Sequence, residues 1–410
     1  MNVSPDFSPP IKITKTYFLL TSFFYTLSML WLFFINPQSS LDDFSVIAWV
    51  HLYMLGFVMM AIFSAMAQLG PVVTETKHHN VNVFKYIWIF LTLGLSLLFF
   101  GFYIDASFLL YGGTLILIAM SIYVVEFLLT LRNARRKTTI TTAMKMSNLF
   151  LLLGIINGLI MALGFNSYFD INPHSLLKAH TFGLIVGFVT LLIMGISIIL
   201  VPMFGFSKRI SDNEFAKSFY TLCAGVVLML ASPLFLTNIL EFASYALTII
   251  AIVLYFIQLT KMMKSRKKVV HDIWAKSIYV GFSSFIISFL LFVFYLINPD
   301  AKILKLASWI MIIGFFGFLI IGNLYKIIPF LIWFEIYSPL IEEQSVPMLH
   351  ELLPSKLTNL QFISSTFGLI MSSFGIILKE HTIFYVGAVF LLLGAIFFTI
   401  TIYKMFAKNL

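Results

Sequence analysis

The sequence predicts an all-α polytopic membrane protein of about twelve transmembrane helices in three pseudo-threefold four-helix units. Three observations predict it. The chain of 410 residues is 60% hydrophobic and only 10% charged, with a mean hydropathy of +1.00, which is more apolar surface than one soluble core hides. Apolar stretches of about 20 residues, the length a helix needs to cross roughly 30 Å of hydrocarbon, recur between short polar breaks. A skeleton of Gly-Phe, a small residue eight places after the glycine and a proline fifteen places after it occurs three times without a gap.

The elements follow in chain order. The first apolar run, 16–35, is too long for a signal peptide and lacks a small-residue cleavage site, so it is expected to remain as a helix. The second, 46–70, carries the first copy of the skeleton: Gly56-Phe57, Ser64 and Pro71. Runs 85–104 and 107–130 are separated by the turn Ile104-Asp105-Ala106 and read as a hairpin. Run 147–166 precedes 179–203, which carries the second copy: Gly187-Phe188, Gly195 and Pro202. Run 216–236 contains Cys223, the single cysteine, which excludes an intrachain disulfide or a cysteine-based metal cluster and reads as a small core residue. Runs 241–260 and 277–297 follow. Run 306–333 holds the third copy, Gly314-Phe315, Gly322 and Pro329, and 359–378 and 382–403 complete the set.

The net charge of +9 reports topology rather than nucleic acid. Breaks after even-numbered runs hold Lys77, Lys85, the cluster Arg132, Arg135, Arg136 and Lys137, then Lys208, Arg209, Lys261, Lys264 and Arg266 to Lys268. The other breaks hold Asp42, Asp43, Asp105, Asp170 and Asp300 beside few lysines. The positive-inside rule then places both termini in the cytoplasm. The two densest basic runs also suit anionic headgroups.

The glycines of the skeleton let helices, or a flat cofactor, approach the backbone closely. The prolines are expected to close their helices, because each removes an amide donor and disfavours helical geometry in its predecessor. Copies on the second, sixth and tenth helices, 131 and 127 residues apart, divide a single transmembrane domain, 1–410, into units of roughly 12–137, 138–268 and 269–410. The common twelve-helix transporters have two six-helix halves instead.

Glu126 and Lys326 are the ionisable groups placed clearly inside spans, each close enough to the cytoplasmic end to snorkel. His78, His79, His174, His271, His350 and His381 read as loop residues. The loop 335–356, with Glu335, Glu342, Glu343 and Glu351, either docks a redox or assembly partner or forms a short amphipathic surface helix around MLHELL. No deep row of carboxylates marks a proton channel.

The tenth-helix copy, Gly314, Phe315, Gly322, Tyr325 and Pro329, resembles the corresponding helix of subunit I in the haem–copper oxidase superfamily. It is most similar to the cbb-type oxidase and nitric oxide reductase branch, where Gly-Trp, Gly, Tyr and Pro have this spacing. Twelve helices in three four-helix arcs also fit that family, and the resemblance implies the cytoplasmic (inner) membrane of a bacterium. In that family the tenth helix carries haem-ligating histidines seven and five residues before the glycine; here those slots hold Ala307 and Trp309. The seventh helix, which supplies copper ligands in the family, has no histidine here. The chain therefore looks like a divergent member without the binuclear oxygen-reducing centre, and whether it is an enzyme stays open.

The same slots hold Trp49 and His51 before Gly56, and His180 and Phe182 before Gly187. The family's low-spin haem lies between the minus-five slot of the tenth helix and the minus-seven slot of the second. Turning that arrangement by one third pairs His51 with His180. The resemblance thus implies one b-type haem with bis-histidine ligation, with Gly56, Gly183 and Gly187 leaving room for the macrocycle, used for electron transfer, sensing or haem handling. Copper on His51 with Met54 is an alternative, as are a transporter or permease using one of the three pores and a non-catalytic assembly or scaffold subunit.

Overall fold

The computed structural model describes residues 7–135, 137–166, 168, 173–235 and 238–409; Arg136 of the basic cluster and Asp170 lie outside them. Every regular element among the described residues is helical. Twelve helices there are long and apolar enough to cross a membrane: α1 Ile11–Phe34, α2 Phe44–Thr74, α3 Val81–Tyr103, α4 Ser107–Arg132, α5 Thr139–Phe165, α6 Pro173–Gly205, α7 Asp212–Leu234, α8 Ile239–Lys264, α9 Ile273–Ile297, α10 Ala301–Leu340, α11 Ser355–Leu378 and α12 His381–Ala407. The protein is a multi-pass membrane protein, and a lipid bilayer is its surrounding.

Several helices start earlier than their apolar runs, because polar residues cap them outside the hydrocarbon. Thr138 accepts from the amide of Thr141 while Thr141 Oγ1 accepts from the amide of Thr138, a reciprocal box that starts α5 well before its apolar stretch. Asp43, Ser211, Asp272 and Asp300 cap α2, α7, α9 and α10 by one-way bonds, each side chain accepting from a backbone amide of the first turn.

The chain forms two compact units, one of Leu69–Val270 and one of Pro10–Gln68 with His271–Leu410. In the first, α3 packs along α4, α7 along α8, and α5 against the middle of α6. In the second, α11 packs along α12, α1 against the middle of α2, and α9 against that of α10. The same two pairings, first helix on second and third on fourth, thus occur three times at intervals of four helices. Small residues set the hairpins: a Cβ at Gly112 would stand 2.6 Å from the amide nitrogen of Leu98, and one at Gly375 2.5 Å from that of Phe384. Backbones touch there, the contact that substitutes for hydrophobic drive inside lipid.

The skeleton glycines seat the first helix of each pair. Gly56 faces Phe24 of α1, Gly187 faces Phe150 of α5, and Gly314 faces Ser284 of α9. Around all three the backbone widens into a π-helix that runs from four residues before the glycine to three after it: Leu52–Met59, Gly183–Thr190 and Ile310–Gly317. Such turns are rare and insert one extra residue into the helical ladder. One inserted residue turns everything on one side by about 100° relative to a plain α-helix, so these segments decide which way the minus-five and minus-seven slots face.

The prolines do not end their helices, contrary to the expectation. α2 runs through Pro71 to Thr74, α6 through Pro202 to Gly205, and α10 through Pro329 to Leu340. A proline removes one bond of the ladder, and the buried packing around it sustains the rest. The stop comes at a left-handed residue four places later: Glu75 with φ 52° and Phe206 with φ 55°. The amides of Thr76 and Ser207 then close on the prolyl carbonyls, at 3.1 and 3.3 Å. α10 has no such residue, and continues through another π turn, Trp333–Tyr337.

Beyond α10 the segment MLHELL makes only a short 3₁₀ turn, Leu349–Leu352, instead of an amphipathic helix. The loop is tied back by Trp333 Nε1, which donates to the carbonyl of Pro347 at 2.8 Å. Glu335 is committed internally, accepting from the amide of Ile11 at 2.6 Å at the start of α1.

Candidate haem-ligand site

His51 is the last α-helical residue of α2 before its π segment, and His180 lies three residues ahead of that of α6. The Nδ1 of His51 lies 2.8 Å from the carbonyl of Ile47, one turn earlier on the same helix. The Nδ1 of His180 lies 2.8 Å from the carbonyl of Gly154 on α5. A carbonyl only accepts, so Nδ1 carries a proton in both rings. This backbone anchoring is the kind that metal-ligating imidazoles adopt.

The seat of His180 is Gly158. A Cβ there would stand 2.6 Å from Cε1 and 2.8 Å from Nδ1 of the imidazole, so that edge of the ring lies against bare backbone. Gly154 and Gly158, four residues apart on one face of α5, together hold the ring: one supplies the carbonyl, the other the space. The sequence reading passed over them, although a small-x3-small pair in a membrane helix is a recognised signal for close approach.

The other glycines are filled differently. Gly183 meets Leu230 and the backbone of Gly154, Gly187 meets Val226 and Phe150, and Gly56 meets Phe24. Their open faces are taken up by helix packing. Met54 sits within the π segment of α2, and among the described residues no three His, Cys, Asp or Glu side chains gather as a metal site.

Trp49 and Trp309 hold the two slots that carry the low-spin haem ligands in the resembled family. Their indoles stack directly, with centroids 5.6 Å apart and planes 24° from parallel. Trp49 Nε1 donates to the carbonyl of Ser28 and Trp309 Nε1 to Ser372 Oγ, both at 3.0 Å, so each buried N–H is satisfied. Phe384 packs on Trp309 and Tyr53 on Trp49, and the Tyr53 hydroxyl donates to the carbonyl of Ile312 inside the π segment of α10. Packed aromatic rings occupy this place.

Asp43, at the start of α2, accepts from both the hydroxyl and the amide of Ser45, and these bonds hold its carboxyl below the usual carboxylate range. Lys326 is paired with Asp272 at 2.6 Å near the start of α9. Glu126 and His78 depart from the sequence reading: neither snorkels nor lies in an open loop. Their side chains are 2% and 4% exposed and meet at 2.9 Å. The partners are far apart in sequence, so no local pattern announces the pair.

No protein-family model matches the chain, and no curated protein matches it.

Proposed function

We propose that the chain is a haem-binding membrane protein related in design to haem–copper oxidase subunit I, with one b-type haem whose axial ligands are His51 and His180. The observation that supports it most is the backbone anchoring of both rings: the Nδ1 of each imidazole lies 2.8 Å from a backbone carbonyl, the kind of contact that orients metal-ligating histidines. The Trp49–Trp309 stack adds support, because a minus-seven slot and a minus-five slot of different repeats meet there. One repeat further on, the equivalent slots are those of His51 and His180. The Gly158 seat and the Gly154 carbonyl orient His180; Ile47 orients His51. When bound, such a haem would supply a reversible one-electron iron couple, suited to electron transfer, sensing or haem handling. Oxygen reduction is not part of the reading, since α7 lacks the copper-ligating histidines. The basic breaks support a bacterial inner-membrane orientation with cytoplasmic termini.

A visible spectrum of the purified protein tests the proposal. The expected result is a sharp Soret band with resolved reduced α and β bands, lost in both His51→Ala and His180→Ala. A colourless preparation that takes up no added haem overturns it, as does a spectrum that survives both substitutions.

A further inference from the structure

Glu126 points to a second site, independent of the haem reading. It lies on α4, and its Oε1 is crowded with donors: His78 Nδ1 at 2.9 Å, Thr130 Oγ1 at 2.9 Å and the amide of Asn80 at 3.4 Å. The amide of His79 donates in turn to Thr130 Oγ1 at 3.0 Å, so the segment after α2 is laced to the end of α4. Oε2 of the same carboxyl is buried and has no hydrogen-bond partner. A buried carboxylate oxygen left bare is costly, and a cation or donor placed on it removes that cost. Glu126 also lines an open recess of about 360 Å³, together with His79, Asn80 and Ser121 and apolar side chains such as Ile122 and Val125.

The lining selects the occupant. One acidic side chain, with the neutral acceptors of Asn80 and Ser121 and the imidazole of His79 among aliphatic walls, suits neither an anion nor a hard divalent ion, which asks for six or more oxygens. It suits a group with positive charge, N–H donors and an apolar stem. We propose that this recess binds a primary ammonium group, with Glu126 Oε2 taking the charge and Ser121 and Asn80 offering further acceptors. His78 and Thr130 act as positioning residues, since by occupying Oε1 they leave Oε2 for the ligand. Val125, 55% exposed, borders the recess on the outward face of α4, so an ammonium carried by a lipid headgroup and one on a soluble alkylamine are both sources of this chemistry.

The test uses the full chain in phosphatidylglycerol nanodiscs, with thermal unfolding followed in propylammonium chloride and in sodium chloride at equal ionic strength. A parallel arm compares discs doped with phosphatidylethanolamine and with phosphatidylcholine, whose quaternary nitrogen has no N–H. Stabilisation by propylammonium alone identifies a soluble amine; stabilisation by phosphatidylethanolamine alone identifies a lipid. In either case Glu126→Gln, which keeps the shape and removes the charge, weakens the effect about ten- to hundredfold. Ser121→Phe, which fills the recess and leaves Glu126 intact, abolishes it and decides the matter if Glu126→Gln does not fold. Equal midpoints in all four conditions overturn the proposal, as do equal shifts with sodium or a response unchanged in both variants.

Discussion

Gly158→Ala is the sharpest perturbation of the His180 seat. The added methyl would stand 2.6 Å from Cε1 and 2.8 Å from Nδ1 of the imidazole, whereas comfortable carbon contacts begin at about 3.5 Å. The ring must therefore retreat by about 1 Å. Its bond to the Gly154 carbonyl, 2.8 Å long, then stretches beyond the range of a useful hydrogen bond. Losing that bond costs about 1 kcal/mol and crowding a packed site about 1–3 kcal/mol, against a gain of about 1 kcal/mol from replacing glycine in a helix. The balance is a net loss of about 1–3 kcal/mol. On the proposed ligation by His180, the matching fall in haem affinity is about ten- to hundredfold. Thermal unfolding in nanodiscs reads the first quantity and titration of the haem-free protein with haem, followed at the Soret band, reads the second. Gly113→Ala is the control: its methyl would meet only the flexible end of Leu159, at 3.2 Å, so no loss is expected. An unchanged midpoint together with an unchanged titration in Gly158→Ala would refute the seat.

Trp309→Ala removes a buried indole from its contacts with Trp49 and Phe384 and is expected to cost about 3–5 kcal/mol, read as a lowered thermal midpoint, with the Soret position unmoved. Asp43→Ala deletes the cap of α2 and is expected to cost about 1 kcal/mol, while Asp43→Asn keeps most of it. Because the Asp43 carboxyl is held low in the folded protein, its ionised form adds stability above the ordinary carboxylate range. That contribution fades as pH falls through the folded value, so a pH series of midpoints should show an acid step, below about pH 4, that Asp43→Asn lacks.

The twelve spans were legible because lipid demands long apolar runs, and only their ends were obscured. A capping threonine such as Thr138 adds two turns of α5 that hydropathy does not register. The repeat of Gly-Phe, small residue and proline was visible as spacing, but the backbone it marks was not. Nothing in LYMLGFVM, GLIVGFVT or IMIIGFFG separates a wide turn from an ordinary one by propensity. The prolines misled for a related reason: local rules say that proline stops a helix, while buried packing overrides them at Pro71, Pro202 and Pro329. The slots of His51 and His180 were readable from register alone. Their backbone anchors were not, since that of His180 comes from another helix. Glu126 was visible as an ionisable group in a span; its burial against His78 arises from tertiary packing of the segment between α2 and α3 onto α4.

The three wide turns share one register. In α2, α6 and α10 alike the extra residue is lodged in the span from four places before the Gly-Phe glycine to three after it, so the same length constraint falls on all three helices. Excising a residue from any copy would let that helix relax to regular pitch and swing its outer end by about 100°. Lineages should therefore tolerate drift in the side chains of these octets far more readily than any change in their length, and a homologue short by one residue there should also have lost the ring or indole that the turn aims.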